Sequence, residues 1–374
     1  MPYDVIIIGG GIIGAASAYE LSKAGAKVLL IEKKHVGAGA TGSSAAMLEC
    51  QIDAHRREPF LSLARASLER FPALAAELKE LTQIDVGFEQ DGIIQLALTE
   101  EEASLLQTEA AYQTHIGLPA RWIPMETLQN NFPQLNPIHC GGVLFEKDGQ
   151  MNGERFLSAF IEGAKRQGTS VIENTGDWKF KRTPNRIEGI ETNAATFNAD
   201  RFLVAAGAWS DQILEPLGLK LGLEPLRGQL LVMDTPKRIL PLPLYTKSNG
   251  YVTPKDGYTF VGTTVEKAGF LNTTTPEAKE ELMQKGRRLL PQLSRTPARG
   301  MTSGLRPGSP DLLPALGRLP GFDNVFIAAG HYRNGILLAP ITAKLMADSI
   351  LSRPLSMDIS SFSPLRFLKT APAR

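Results

Sequence analysis

Asp4-Val5-Ile6-Ile7-Ile8-Gly9-Gly10-Gly11-Ile12-Ile13-Gly14 is the stretch that decides the fold. Residues 4–8 are a short apolar, β-branched run, of the kind that suits a parallel strand covered on both faces. Three glycines follow at once. Residues 12–24 carry helical spacing and stop before Gly25, a C-cap position. Residues 27–32 read as a second strand ending in Glu32. The whole is a βαβ unit in about thirty residues. Inside it lies Gly9-x-Gly11-x-x-Gly14, whose glycines serve a tight turn, a close backbone approach to a pyrophosphate and close helix–sheet packing. The helix start adds unpaired N–H groups and a positive dipole end. Glu32 can accept hydrogen bonds from both hydroxyls of an adenosine ribose. The spacing alone is weak in a chain with 35 glycines. The strand before it, the helix after it and the acid beyond make it a dinucleotide fingerprint. NAD and FAD share the ADP half, so the fingerprint does not choose between them.

Residues 37–47 are small and glycine-rich, a loop whose backbone can approach a ligand. No Lys follows Gly42, which excludes a triphosphatase P-loop. Residues 60–81 hold apolar positions at spacings of three and four, a helical region interrupted by Pro72. From about residue 85 the texture turns to strands. Residues 86–98, 227–234, 250–254 and 258–265 read as an antiparallel sheet with Gly/Pro/Asn/Asp turns. Residues 155–167 read as a helix and 202–209 as another buried parallel strand. Residues 325–330 read as a strand running into a helix at 335–351. The parallel-type segments fall in three pieces and the β-rich ones in two. The economical reading is an α/β nucleotide domain woven through a β-rich domain. A length of 374 residues agrees, at roughly 150 residues per domain.

Forty basic and thirty-nine acidic residues leave a net charge of +1, so a nucleic-acid backbone is not an expected partner. Cys50 and Cys140 form no CxxC, and the five histidines form no HxxxH or HExxH pair. No metal site is expected, and two reduced thiols suit a cytoplasmic protein. No run of about 18 apolar residues predicts a membrane span. The start has Asp4 and no basic residue before Lys23, so it is read as the first strand rather than a secretory signal.

Five segments, in order, carry a family resemblance. They are residues 5–14, Ala45-Ala46-Met47-Leu48, Ala205-Ala206-Gly207-Ala208-Trp209-Ser210, Gly304-Leu305-Arg306-Pro307-Gly308 and residues 330–340, which begin Gly330-His331-Tyr332-Arg333-Asn334. Together they resemble the D-amino-acid oxidase family of flavoproteins, in the branch that oxidises glycine, over essentially the whole chain. The resemblance implies an FAD-binding Rossmann-like domain (1–84, 141–218, 302–374) interleaved with an antiparallel β-sheet substrate domain (85–140, 219–301). It implies non-covalent FAD, with Gly9, Gly11, Ile12, Ile13, Gly14 and Glu32 at the ADP half. Thr41, Ala45, Ala46 and Met47 match the loop along the flavin ring. Gly330, His331, Arg333, Asn334, Gly335, Ile336 and Leu337 match the turn and helix start beside that ring. Arg306 matches the arginine that pairs with the substrate carboxylate, Tyr251 a tyrosine that reaches it, and Arg333 a second arginine near the site.

The implied activity is oxidative deamination of glycine by hydride transfer to flavin N5, giving an imine, then glyoxylate and ammonia, with dioxygen reduced to hydrogen peroxide. Positioning suffices for it, and no residue is required as an acid or base. His331 is as useful for fixing a turn as for moving a proton. A place in thiamine biosynthesis, coupling to thiazole synthase and a homotetramer are further implications. Sarcosine or D-amino-acid oxidation, a dehydrogenase of the same family, an NAD-linked dehydrogenase, a tRNA-modifying module and a non-catalytic flavin module are the alternatives. Three positions depart from the family pattern and bear on substrate preference. Glu49 opens a stretch where small residues are expected, Val265 stands for a longer Met, and Asn249 for a His.

Overall fold

The computed structural model describes residues 2–367. Its first sheet has the strand Tyr3–Ile8 at its centre. Tyr3–Ile8 runs parallel to Val28–Ile31 on one side and to Thr196–Val204 on the other. Ser170–Ile172 and Val325–Ala329 extend the parallel array, and Ala315–Arg318 closes one edge antiparallel. The pleat explains why the opening run is apolar at every position. Val5 and Ile7 pack into a core shared with the helices Ile12–Lys23, Gly153–Arg166 and Gly335–Ile350, while Ile6 and Ile8 pack into a second core on the opposite face. All four are almost fully buried, each contributing about 2 kcal/mol of transfer free energy.

The second sheet has the order Ala298–Gly308, Glu224–Met233, Tyr258–Gly262, Gly250–Lys255, Leu244–Thr246, Ile93–Ala97, Gly141–Phe145, Ala120–Pro124. The helices Glu100–His115 and Pro276–Leu289 cover it. Gly141–Phe145 pairs within this second sheet, and Ala298–Gly308 runs through residue 302. Residues 368–374 of the last expected segment lie outside the described residues.

Several expected elements differ in extent. The strand expected at 202–209 ends at Val204, because Ala205 and Ala206 leave the sheet and a 3-10 turn, Gly207–Trp209, follows. Of residues 86–98 only Ile93–Ala97 is a strand. The region 60–81 is two helices, Phe60–Leu68 and Phe71–Thr82, and Pro72 sits in the first turn of the second, where its missing N–H costs nothing. The β-rich sheet is not wholly antiparallel, since Leu244–Thr246 runs parallel to Ile93–Ala97. Among the described residues no helix is long and apolar enough to cross a membrane.

Candidate active site

The fingerprint forms the turn it promised. Gly9 has φ +114°, and a Cβ at Gly14 would stand 1.9 Å from the Gly9 carbonyl oxygen, so the helix can approach the strand only without that atom. The helix begins at Gly11 without a side chain of its own to cap it. Thr41, from the glycine-rich loop, accepts the Ile12 N–H at 3.1 Å. Glu32 accepts the Gly10 N–H at 2.8 Å and the Lys34 N–H at 2.9 Å, tying the turn to the end of the second strand.

A cavity of about 1260 Å³ opens on this turn and continues between the two sheets. That exceeds what a drug-sized ligand needs and suits a dinucleotide with a small substrate. Gly9, Gly11, Ile12, Ile13 and Glu32 line one end; Thr41, Ala45, Ala46 and Met47 line its middle. His331, Arg333, Gly335 and Ile336 line it from the start of the last helix, and Tyr251 and Arg306 from the second sheet. Gly14, Gly330, Asn334 and Leu337 stand behind the lining, where they shape the turn and helix that carry it. Val265 lines the cavity with its side chain well exposed, whereas Asn249 is buried behind it and donates to the Lys285 carbonyl at 3.1 Å.

Arg306 lies across its own sheet. Its Nη1 donates to the Thr264 carbonyl at 3.1 Å and its Nη2 to Thr263 Oγ1 at 2.7 Å. A Cβ at the neighbouring Gly228 would come within 2.0 Å of Nη1, so glycine there leaves the guanidinium its place. Two of the five N–H donors are used, and three are left for a ligand. Tyr251 is buried, and burial raises its hydroxyl well above the usual range, so it stays a neutral donor. His331 Nε2 meets Thr342 Oγ1 at 3.1 Å, and burial pushes its pKa down to about 3. This neutral imidazole joins the turn to the helix behind it.

Arg333 is engaged differently. Its guanidinium pairs with Glu49 at 3.0 Å and with Asp53, and Asp53 also accepts Asn334 Nδ2 at 2.7 Å. Burial opposes its charge, but the two carboxylates outweigh it and hold Arg333 protonated. Asp53 belongs to no motif; only its position beside the small-residue loop hints at a site. Glu49 is buried, and its second oxygen, Oε1, has no hydrogen-bond partner.

A fingerprint turn opening on one large cavity between two sheets is the arrangement of a dinucleotide-dependent enzyme. Comparison with known proteins narrows the class. The model of the FAD dependent oxidoreductase family, DAO, matches residues 4–349. Glycine oxidase of Geobacillus kaustophilus is 33% identical, over 98% of this chain and 97% of that protein. A crystal structure of glycine oxidase from that organism superposes with a TM-score of 0.93, covering 98% of this chain and all of that one. Hydrogen cyanide synthase subunit HcnC of Pseudomonas protegens is 32% identical, over 100% of this chain and 98% of that protein. The bifunctional protein ThiO/ThiG of Trichormus variabilis is 31% identical over 99% of this chain, which matches 56% of that longer protein. The chain belongs to the FAD dependent oxidoreductase family. The residues present fit the cofactor: a Cβ at Gly11 would meet only Thr41 Oγ1, at 3.4 Å, so the backbone there leaves room for a pyrophosphate.

Proposed function

We propose that this FAD-dependent enzyme oxidises glycine and other small amines bearing one carboxylate, such as sarcosine. The observation that carries the reading is that Arg306 and Tyr251 line, from the second sheet, the same cavity that the fingerprint residues line. An arginine fork with three spare donors suits a carboxylate, and a neutral phenol beside it adds a fourth. When bound, FAD supplies the hydride acceptor and the route to dioxygen, so that imine, then glyoxylate and ammonia, and hydrogen peroxide are the products. Arg306 and Tyr251 hold the carboxylate, and so aim the amine-bearing carbon. The glycine turn and the start of the first helix, with Thr41 beside it, would hold the phosphates, and Glu32 would hold the ribose. The start of the last helix lines the cavity, and its free backbone N–H groups would stabilise negative charge on a reduced ring bound there. His331 stays neutral and keeps that helix start in place. No acid or base is assigned.

The relative named ThiO/ThiG supports coupling to thiazole synthase and a place in thiazole formation. The relative named for hydrogen cyanide synthase supports a second reading, in which the product of glycine oxidation is cyanide. The division into a cofactor domain and a substrate domain rests on the two sheets, with Gly141–Phe145 and Ala298–Gly308 counted with the substrate sheet. Two free thiols support a cytoplasmic place, and light scattering tests the homo-oligomer. The deciding experiment is the visible spectrum of the purified protein before and after anaerobic glycine, then air. Bands at about 375 and 450 nm should bleach with glycine and return with peroxide. A yellow protein that glycine leaves oxidised sinks the substrate assignment, and cyanide in place of peroxide selects the second reading.

A further inference from the structure

Among the described residues that line the cavity, Glu49 carries the buried side-chain oxygen that lacks a hydrogen-bond partner. Its Oε2 accepts Arg333 Nη1 at 3.0 Å. Oε1 is buried and accepts nothing, although the side chain lines the cavity. A buried oxygen of an ionised carboxylate without a donor is costly, and a fold keeps one where something else supplies the donor. The neighbours say what kind of donor. Arg306 and Arg333 both lower the energy of the Glu49 anion, and Glu49 in turn acts on the Tyr251 and Tyr245 hydroxyls, so all of them share one small volume. Arg333 is already neutralised by Asp53 and Glu49, and Asp53 is completed by Asn334. Arg56, also near Asp53, stacks on the Phe60 ring and donates to the Leu312 carbonyl, away from the cavity lining. Of the two guanidinium groups that act on Glu49, Arg306 is therefore the one with no carboxylate partner among the described residues.

Two guanidinium groups and two carboxylates sum to zero before a ligand enters. One carboxylate on the ligand takes Arg306. A second, set beside Glu49, would meet a like charge. A nitrogen carrying protons would find the vacant acceptor. We propose that Glu49 is a specificity-determining residue: its unpartnered carboxylate oxygen receives the N–H of a monocarboxylate amine and excludes amines that carry a second carboxylate. This rests on the amine-oxidase reading above. It also explains why an acid stands at a position where the loop otherwise calls for a small residue. Burial pushes the Glu49 carboxyl above the usual range while Arg333 pulls it down, so an arriving cationic nitrogen would favour the charged form.

The test needs ligands that bind without turning over. Acetate has one carboxylate; diglycolate has two, joined through an ether oxygen, and no amine to oxidise. Their dissociation constants for the FAD-loaded enzyme can be read from the perturbation of the flavin spectrum at a pH of about 8, above the carboxylate range. In Glu49→Gln, the preference for acetate over diglycolate should fall by about tenfold or more, as expected for removing a like charge at short range. Glycine KM should rise by about fivefold or more with kcat less affected, since a binding contact is lost. Glu49→Ala, which removes the side chain, should move the acetate/diglycolate ratio the same way. A ratio within about twofold of wild type in both variants overturns the proposal, as does a wild-type enzyme that binds diglycolate as well as acetate. If neither anion perturbs the wild-type spectrum, it is overturned too. Failure of glycine to bleach the wild-type flavin would instead remove the amine-oxidase reading, and the anion ratio would still report whether Glu49 sorts ligands by charge.

Discussion

Arg306 can serve as an anchor because of what is absent around it. Among the described residues no carboxylate claims it, and Gly228 gives it room to lie flat across the sheet. Arg306→Ala should raise the glycine KM by about tenfold or more, the size of a lost charge-assisted pair, while FAD stays bound. An unchanged KM removes the carboxylate assignment. His331 makes a pH prediction. The unfolded chain protonates it below its ordinary value of 6.5, but the native chain only near pH 3. Between those limits the unfolded state holds the extra proton, so stability rises with pH and is lost as the pH falls. The wild-type urea midpoint should therefore drop between about pH 6.5 and 4.5, by up to about 1.4 kcal/mol per pH unit from this group. In His331→Gln that part of the slope should vanish, and an identical slope refutes it. The fingerprint glycines and Glu32 were legible because they sit in a local pattern, whereas Arg306 and Tyr251 carry no such pattern and were implied by the family resemblance alone. The Glu49–Arg333–Asp53 cluster was not legible, since it joins residues 280 or more apart. The family resemblance implied a second arginine near the site, and Arg333 lines the same cavity while pairing with Glu49 and Asp53.

The last helix, Gly335–Ile350, contains Pro340 and is still continuous. A proline there lacks the N–H that would close its turn, and the neighbouring helix compensates. Ser67 Oγ donates to the Leu337 carbonyl at 2.6 Å and accepts the Ile341 N–H at 3.3 Å, bridging the ladder next to the proline. Ser67→Ala should cost about 1–2 kcal/mol, because the bridged groups are buried and lose a partner. Equal unfolding midpoints for variant and wild type would show the bridge to be idle. Elements with a continuous apolar run and a glycine stop were readable in the chain, as at Tyr3–Ile8, Ile12–Lys23 and Val325–Ala329. Glu100–His115 escaped notice because it buries only a few side chains, among them Ala103, Leu106 and Ala110, and opens on three acids. Its start signal was present nonetheless: Thr99 accepts the Glu102 N–H at 3.2 Å.

At the scale of the molecule, the cavity separates two sheets, and a ligand that fills it touches both. Loading with FAD should raise the melting temperature, and the gain should grow with free FAD, by about 2.7 kcal/mol at a hundredfold excess over Kd. A melting temperature indifferent to FAD would place the cofactor elsewhere. The alternation of sheet segments along the chain was readable, but the strand partners were not. Hydrophobic runs identify a buried strand without naming its neighbour. The interleaving also governs how the protein comes into being. Tyr3–Ile8 leaves the ribosome well before Thr196–Val204, with which it pairs, and the sheet also waits for Val325–Ala329. The second sheet likewise waits for Ala298–Gly308. Both halves wait for segments far apart along the chain, so the growing polypeptide must be guarded until Val325–Ala329 has been translated, and the completed cofactor cavity comes after that.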